Sequence, residues 1–208
     1  MHNRLTKIAE RICTLTNRDL TILETIRMAG IDTLGCIILG SQSKTSVRTR
    51  KALEFYAGKD CDVFGTNAKM SPPFAAFCNA VSGHINDFDD YEEPGNTHPS
   101  VVIFPILWAL ASTQRFSGRD VIDAYIIGFE VITRLGEALG SDHYSKGFHA
   151  TGTIGLIGGA AAAARLLKLG SEKTRNTLSL AFSQATGFTS QFGSDVKPIQ
   201  VGFSAQNA

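Results

Sequence analysis

The sequence predicts an all-α fold. Apolar residues recur at three- and four-residue steps in segment after segment, no segment shows the alternation of a half-buried strand, and one alanine- and glycine-rich run suits closely packed helices. With 208 residues and no repeat or low-complexity linker, the chain is expected to form a single helical domain over 1–208.

Leu5, Ile8, Ile12 and Leu15 form the stripe of a first amphipathic helix. The same segment lacks the apolar core of a signal peptide, and Glu10 and Asp19 speak against a transit peptide, so a cytoplasmic protein is expected. A longer second helix is expected through "DLTILETIRMAGIDTLGCIILG", with Asp19 as N-cap and Gly40 as stop. Its second half is apolar nearly all round, which places it inside a bundle.

"SQSKTSVRTRKALEFYAGK" reads as a polar loop turning into a short helix, and "DCDVFGTNAKMSPPFAAF" as an irregular connection. Helix resumes in "FAAFCNAVSGHINDF". The apolar stretch 101–111, "VVIFPILWALA", is short for a bilayer span of about 20 residues and contains Pro105, so no membrane segment is expected.

In "GRDVIDAYIIGFEVITRLGEALG" the residues Val121, Ala124, Tyr125, Gly128, Phe129, Ile132 and Leu135 share one helical face. "TGTIGLIGGAAAAARLLKLG" is expected to be a central buried helix, because few side chains stand between its axis and a neighbour's. A final helix runs from about Ser171 to Thr186, and "GFTSQFGSDVKPIQVGFSAQNA" then reads as loop.

Twenty Lys and Arg against 19 Asp and Glu give a net charge of +1, which supplies no field for nucleic acid. A small-molecule ligand is expected instead. Cysteines 13, 36, 61 and 78 form no C-x-x-C pair and fit buried thiols in a reducing compartment.

The chemistry-bearing segment is "HINDFDDYEEPGNTHPS", residues 84–100, where five acids lie between His84 and His98. Acids at a helix C-terminus oppose its macrodipole, so packing alone does not account for them. A solvated turn and a metal site are the competing readings. The run lacks the glycine of a calcium loop and the H-E-x-x-H spacing of a zinc helix. A second candidate, "KGFHATGTIG", sets His149 and Thr151 at the mouth of the buried helix, where free N–H groups can bind an anion. Its glycines follow no strand and do not fit G-x-G-x-x-G. A third is Lys197 in "SDVKPIQ".

Together with "MSPPFAAFCNAVSGHINDFDDYEEPGNTHPS", the stretches "GRDVIDAYIIGFEVITRLG", "GFHATGTIGLIGGAAAAARLLKL" and "SQATGFTSQFGSDVKPIQVGFSAQNA" resemble the MmgE/PrpD family over essentially the whole chain. The resemblance implies a helical domain joined to a smaller α/β lid, a homodimer, and dehydration, decarboxylation or epimerisation of a small polycarboxylate, with 2-methylcitrate dehydration placed first. Neither metal nor other cofactor is expected. It places catalytic residues on Asp87, His98, His149 and Lys197.

Two departures stand out: Tyr91 occupies the place of the family's threonine, which makes it a substrate-contact candidate, and the lid with its histidine is not part of this sequence. A second reading is therefore a remnant that folds without catalysing. His98 and His149 are expected to share proton abstraction and leaving-group protonation, Asp87 to orient an imidazole, and Lys197 to bind a carboxylate. From the helix-terminus argument alone, Thr151, Gly152 and Thr153 are expected to hold another carboxylate.

Overall fold

The structure is a computed structural model that describes residues 2–16 and 20–208. Asp19, the expected N-cap of the second helix, lies outside the described residues. Nine α-helices account for the bulk of the described residues, so the fold is all-α as the periodicity indicates. They are α1 (His2–Thr14), α2 (Leu20–Gly40), α3 (Lys44–Ala52), α4 (Pro72–His84), α5 (Ser100–Thr113), α6 (Gly118–Ser145), α7 (Ala150–Leu166), α8 (Ser171–Gln184) and α9 (Val196–Asn207).

Two features correct the sequence reading. The segment read as an irregular connection contains an antiparallel pair, β1 (Ala57–Asp62) with β2 (Lys69–Met70), interrupted by a bulge between Ala57 and Cys61. β1 reads AGKDCD and buries only Cys61 fully, so it carries no alternation to detect. Lys197, expected in a loop, instead lies in the first turn of α9, a helix whose Pro198 suits a first turn and whose Val201 and Ala205 are buried.

α7 is the axis of the bundle. All but Arg165 of its 17 residues are buried, and it packs against α6, α9, α5 and α8. Close approach to α6 requires glycine on both sides: a Cβ on Gly158 would stand 2.8 Å from the Gly128 carbonyl oxygen, and one on Gly128 would stand 2.9 Å from Ala162 Cβ. Of the expected α6 face, Ala124, Tyr125, Gly128 and Ile132 are buried, while Val121, Phe129 and Leu135 pack partly buried against the core. Ser117 and Asp120 cap α6 reciprocally.

α4 lies between α9, α5 and α2. Its C-terminal His84 and the N-terminus of α5 are therefore held together, and the acidic segment that joins them is fixed at both ends. The second half of α2 is less enclosed than its composition suggests, because Ile31, Ile38 and Leu39 are about half exposed, as is Met28 just before it. No helix among the described residues is long and apolar enough to cross a membrane.

Candidate functional site

The acidic segment turns back at Asp87, whose φ of 57° is left-handed and tolerable for an aspartate. That turn sends neighbouring carboxylates in different directions. Asp89 is buried and accepts from His84 Nδ1 at 2.8 Å and lies 3.3 Å from His98 Nδ1. Its backbone carbonyl also meets His98 Nδ1 at 3.2 Å. Asp87 Oδ1 accepts from Lys197 Nζ at 2.6 Å and stands 3.7 Å from His98 Nε2 and 3.9 Å from His84 Nε2. Asp89 thus makes the direct imidazole contacts, and Asp87 acts on both rings across an electrostatic distance.

Asp90 takes a third direction. Its carboxylate accepts from the Ser100 N–H at 3.1 Å and the Ser100 hydroxyl at 2.5 Å, and Ser100 Oγ meets Tyr125 OH at 2.6 Å. The start of α5, two residues after His98, is tied down in this way.

His149 comes from another element, as the residue before α7. Gln200 on α9 donates through its amide nitrogen to the Phe188 carbonyl at 3.2 Å, which turns Gln200 Oε1 toward His149 Nδ1 at 2.7 Å. The Nδ1 proton is committed to that oxygen, so neutral His149 keeps its lone pair on Nε2. The His84 ring neighbours both, with centroids 4.8 Å from His98 and 5.9 Å from His149.

These groups surround a cavity of about 240 Å³ lined by Asp87, Asn96, His98, Tyr144, His149, Thr151, Phe192 and Lys197. All four expected catalytic residues line it. Thr151 lines it too, and its hydroxyl accepts from the His98 N–H at 3.0 Å. Thr153 is engaged elsewhere, with its N–H on the His149 carbonyl and its hydroxyl 2.7 Å from His143 Nε2, and Gly152 backs onto the Thr186–Gly187 backbone. Tyr91 stands at the rim, half exposed, and donates to Asn96 Oδ1 at 2.9 Å. A larger cavity of about 420 Å³ between α1, α6, α7 and α8 is lined mainly by aliphatic side chains and by no histidine.

The environment drives the imidazoles apart. Burial lowers His149 and the nearby His84, Lys197 and His98 charges reinforce it, so its pKa falls to about 4 despite the Gln200 hydrogen bond. Burial acts the same way on His98, but the hydrogen bond and charge of Asp89, together with Asp87, outweigh it and raise the pKa above the ordinary value. Burial would raise Asp89, yet its hydrogen bonds to His84 and His98 hold the carboxyl well below the usual range. Asp87 is likewise lowered, burial being overcome by Lys197.

His84, Asp87, Asp89 and His98 each offer a ligand atom within 4.8 Å of the others, a spacing a cation could use. The Lys197 ammonium, already bonded to Asp87, supplies positive charge at that point. The sequence reading did not assign roles to His84, Asp89, Asn96, Tyr144, Phe192 or Gln200. His84 and the acids stood in the quoted segment, whereas Gln200 had no signal short of knowing that α9 docks on α4.

For Asp90, burial pushes the pKa up to about 6 against the two Ser100 hydrogen bonds, and the Asp89 charge adds to the rise. The folded state then binds this proton more tightly than the unfolded chain does. Its favourable contribution is present below about pH 4 and is lost as pH rises through about 6, by at most about 3 kcal/mol. Asp90→Asn is expected to gain stability relative to wild type between those pH values, read as the difference in urea midpoints. A pH-independent difference would refute the assignment.

An all-helical protein that gathers two oppositely tuned histidines, carboxylates and a lysine around one small polar cavity defines a class whose cavity carries both a proton donor and a proton acceptor. The chain belongs to the MmgE/PrpD family: residues 6–208 match the MmgE/PrpD N-terminal domain. It is 34% identical over 184 residues to the human cis-aconitate decarboxylase, covering 85% of this chain and 38% of that protein. The Aspergillus terreus cis-aconitate decarboxylase is 32% identical over 194 residues, covering 89% and 40% respectively. The mouse enzyme of the same name is 32% identical over 190 residues, covering 85% and 38%. The chain thus spans about two fifths of the length of these relatives.

Proposed function

We propose that this chain carries the acid–base site of a lyase for a small polycarboxylate, with cis-aconitate the first substrate to test. The observation that carries the reading is the opposite tuning of His98 and His149 on one cavity, since groups pushed apart in this way take acid and base roles at one pH. The names of the relatives favour decarboxylation.

Losing carbon dioxide from the methylene arm of cis-aconitate shifts an electron pair into a new alkene. The old alkene pair must take a proton at its far carbon. His98, held protonated by Asp89 and Asp87, is the donor in this scheme. Lys197 holds one of the remaining carboxylates, with Thr151 as the only residue of the first turn of α7 that lines the cavity. Dehydration of 2-methylcitrate uses the same pair differently: His149 Nε2 takes the C–H proton and His98 protonates the departing hydroxyl. The lone pair fixed on His149 by Gln200 favours this second reading. Neither scheme routes a step through a metal.

The reading includes a cytoplasmic homodimer. The half-exposed apolar stripe of α2 offers a face for such a contact, and light scattering checks it.

The test is proton NMR in D₂O with cis-aconitate or 2-methylcitrate. Wild type is expected to give decarboxylated product carrying deuterium, or alkene from dehydration, equally with and without EDTA. His98→Ala is expected to lose about 10²–10⁴ in rate. A folded wild type that leaves both acids unchanged leaves the non-catalytic reading, and loss of turnover in EDTA would show that a metal is required.

A further inference from the structure

We propose that Asn96 is a specificity-determining contact of the cavity, donating its amide N–H to a carboxylate oxygen of the substrate, with Tyr91 as the positioning residue that aims it. The inference rests on the reading of the site as one for a polycarboxylate and adds which groups select among such acids.

Asn96 sits in a loop that is closed from within. Glu92 is buried, and its carboxylate accepts from the Gly95 N–H at 3.0 Å and from the Thr97 hydroxyl at 2.5 Å. The backbones of Glu92 and Thr97 pair across the same loop at 3.0 and 3.4 Å. So constrained, residue 96 adopts φ 54°, which asparagine tolerates better than most residues. The position is half-buried and borders the cavity two residues before His98.

A primary amide offers one acceptor oxygen and a two-proton donor. Tyr91 OH already donates to the oxygen at 2.9 Å, so the end left without any partner is the donor. No group among the described residues accepts from it. The Tyr91 ring lies edge-on to His98 with centroids 5.7 Å apart, which fixes the phenol from the rim side and keeps its hydroxyl on the asparagine. Among the residues lining the cavity, Lys197 offers an ammonium held by Asp87 and 5.0 Å from the Phe192 ring, and Asn96 offers a neutral donor. Two different donors suit an acid with more than one carboxylate and favour one orientation of it.

The competing account is that asparagine is present only for its backbone conformation. Asn96→Gly separates the two, because glycine accepts the left-handed φ and removes the amide. Calorimetric titration of the 208-residue chain with cis-aconitate is expected to show binding roughly tenfold weaker for Asn96→Gly, the scale of one hydrogen bond to a charged acceptor. Tyr91→Phe, which keeps the ring and frees the amide, is expected to weaken binding roughly threefold. Asn96→Asp replaces the donor by a like charge and is expected to weaken it roughly a hundredfold. Wild-type affinity in Asn96→Gly and Tyr91→Phe would overturn the inference while leaving the site reading intact. A wild type that binds neither cis-aconitate nor 2-methylcitrate would overturn the site reading and this inference with it, and the flat wild-type titration distinguishes that case.

Discussion

Asp89→Asn is expected to bring the pKa of His98 down toward that of an unpaired, partly buried imidazole and to slow product formation by about 10²–10⁴. The carboxylate hydrogen-bonds His84 and contacts His98 Nδ1 from a fully buried position, whereas Asp87 stands farther off, 3.7 Å from His98 Nε2, and its charge is shared with Lys197. An asparagine oxygen can still accept from the ring nitrogens but carries no charge to hold His98 protonated. A nitrogen-detected titration of the imidazoles reads this directly. An unchanged His98 pKa in a folded Asp89→Asn chain would sink the account, whatever the rate does.

The second large effect concerns stability. Gly40→Ala would place a Cβ 1.9 Å from the Ser82 carbonyl oxygen and 2.5 Å from Ile85 Cγ2, so the end of α2 and the last turn of α4 must separate. The cost is expected to be about 3 kcal/mol. For a chain of this size that corresponds to a midpoint fall of roughly 6–12 °C. His84 lies two residues beyond Ser82, so its contact with Asp89 is expected to loosen as well. Gly35, in the same helix, has no neighbour within 4 Å. Gly35→Ala is expected to leave the midpoint unchanged or raise it by the helix propensity gained, up to about 1 kcal/mol. Equal effects at the two positions in thermal unfolding would show that the close approach of α2 and α4 is not the cause.

Much of this architecture was legible because it rests on periodicity. α1, α6 and the buried α7 follow from where apolar and small residues recur, and those patterns survive without knowledge of neighbours. The β1–β2 pair was invisible for the converse reason: AGKDCD is polar, and its pairing with Lys69–Met70 is decided by the chain geometry around Gly65. α9 was read as loop because its segment is rich in Gly, Ser and Gln, yet Gly202 is what lets the helix lie close to Phe77 and Val81 on α4. In the site, sequence identified the acidic run but could not apportion it. The left-handed Asp87 decides that Asp87 meets Lys197, Asp89 the imidazoles and Asp90 the start of α5. Sequence spacing does not encode that turn.

Lys197 meets Asp87 across 110 residues of chain, and α9 is the element that brings both Lys197 and Gln200 to the cavity. During synthesis the acids and imidazoles of residues 84–98 leave the ribosome first. At about 5–20 residues per second they wait roughly 5–20 s for their cationic partner to be made. Over that interval the nascent chain has its acids in place with neither the ammonium beside Asp87 nor the amide that sets the His149 tautomer. The ammonium beside Asp87 and the amide that fixes the His149 tautomer therefore reach the cavity together, when α9 docks, and a ribosome stalled before residue 197 holds a chain with most of its helices and neither of these groups.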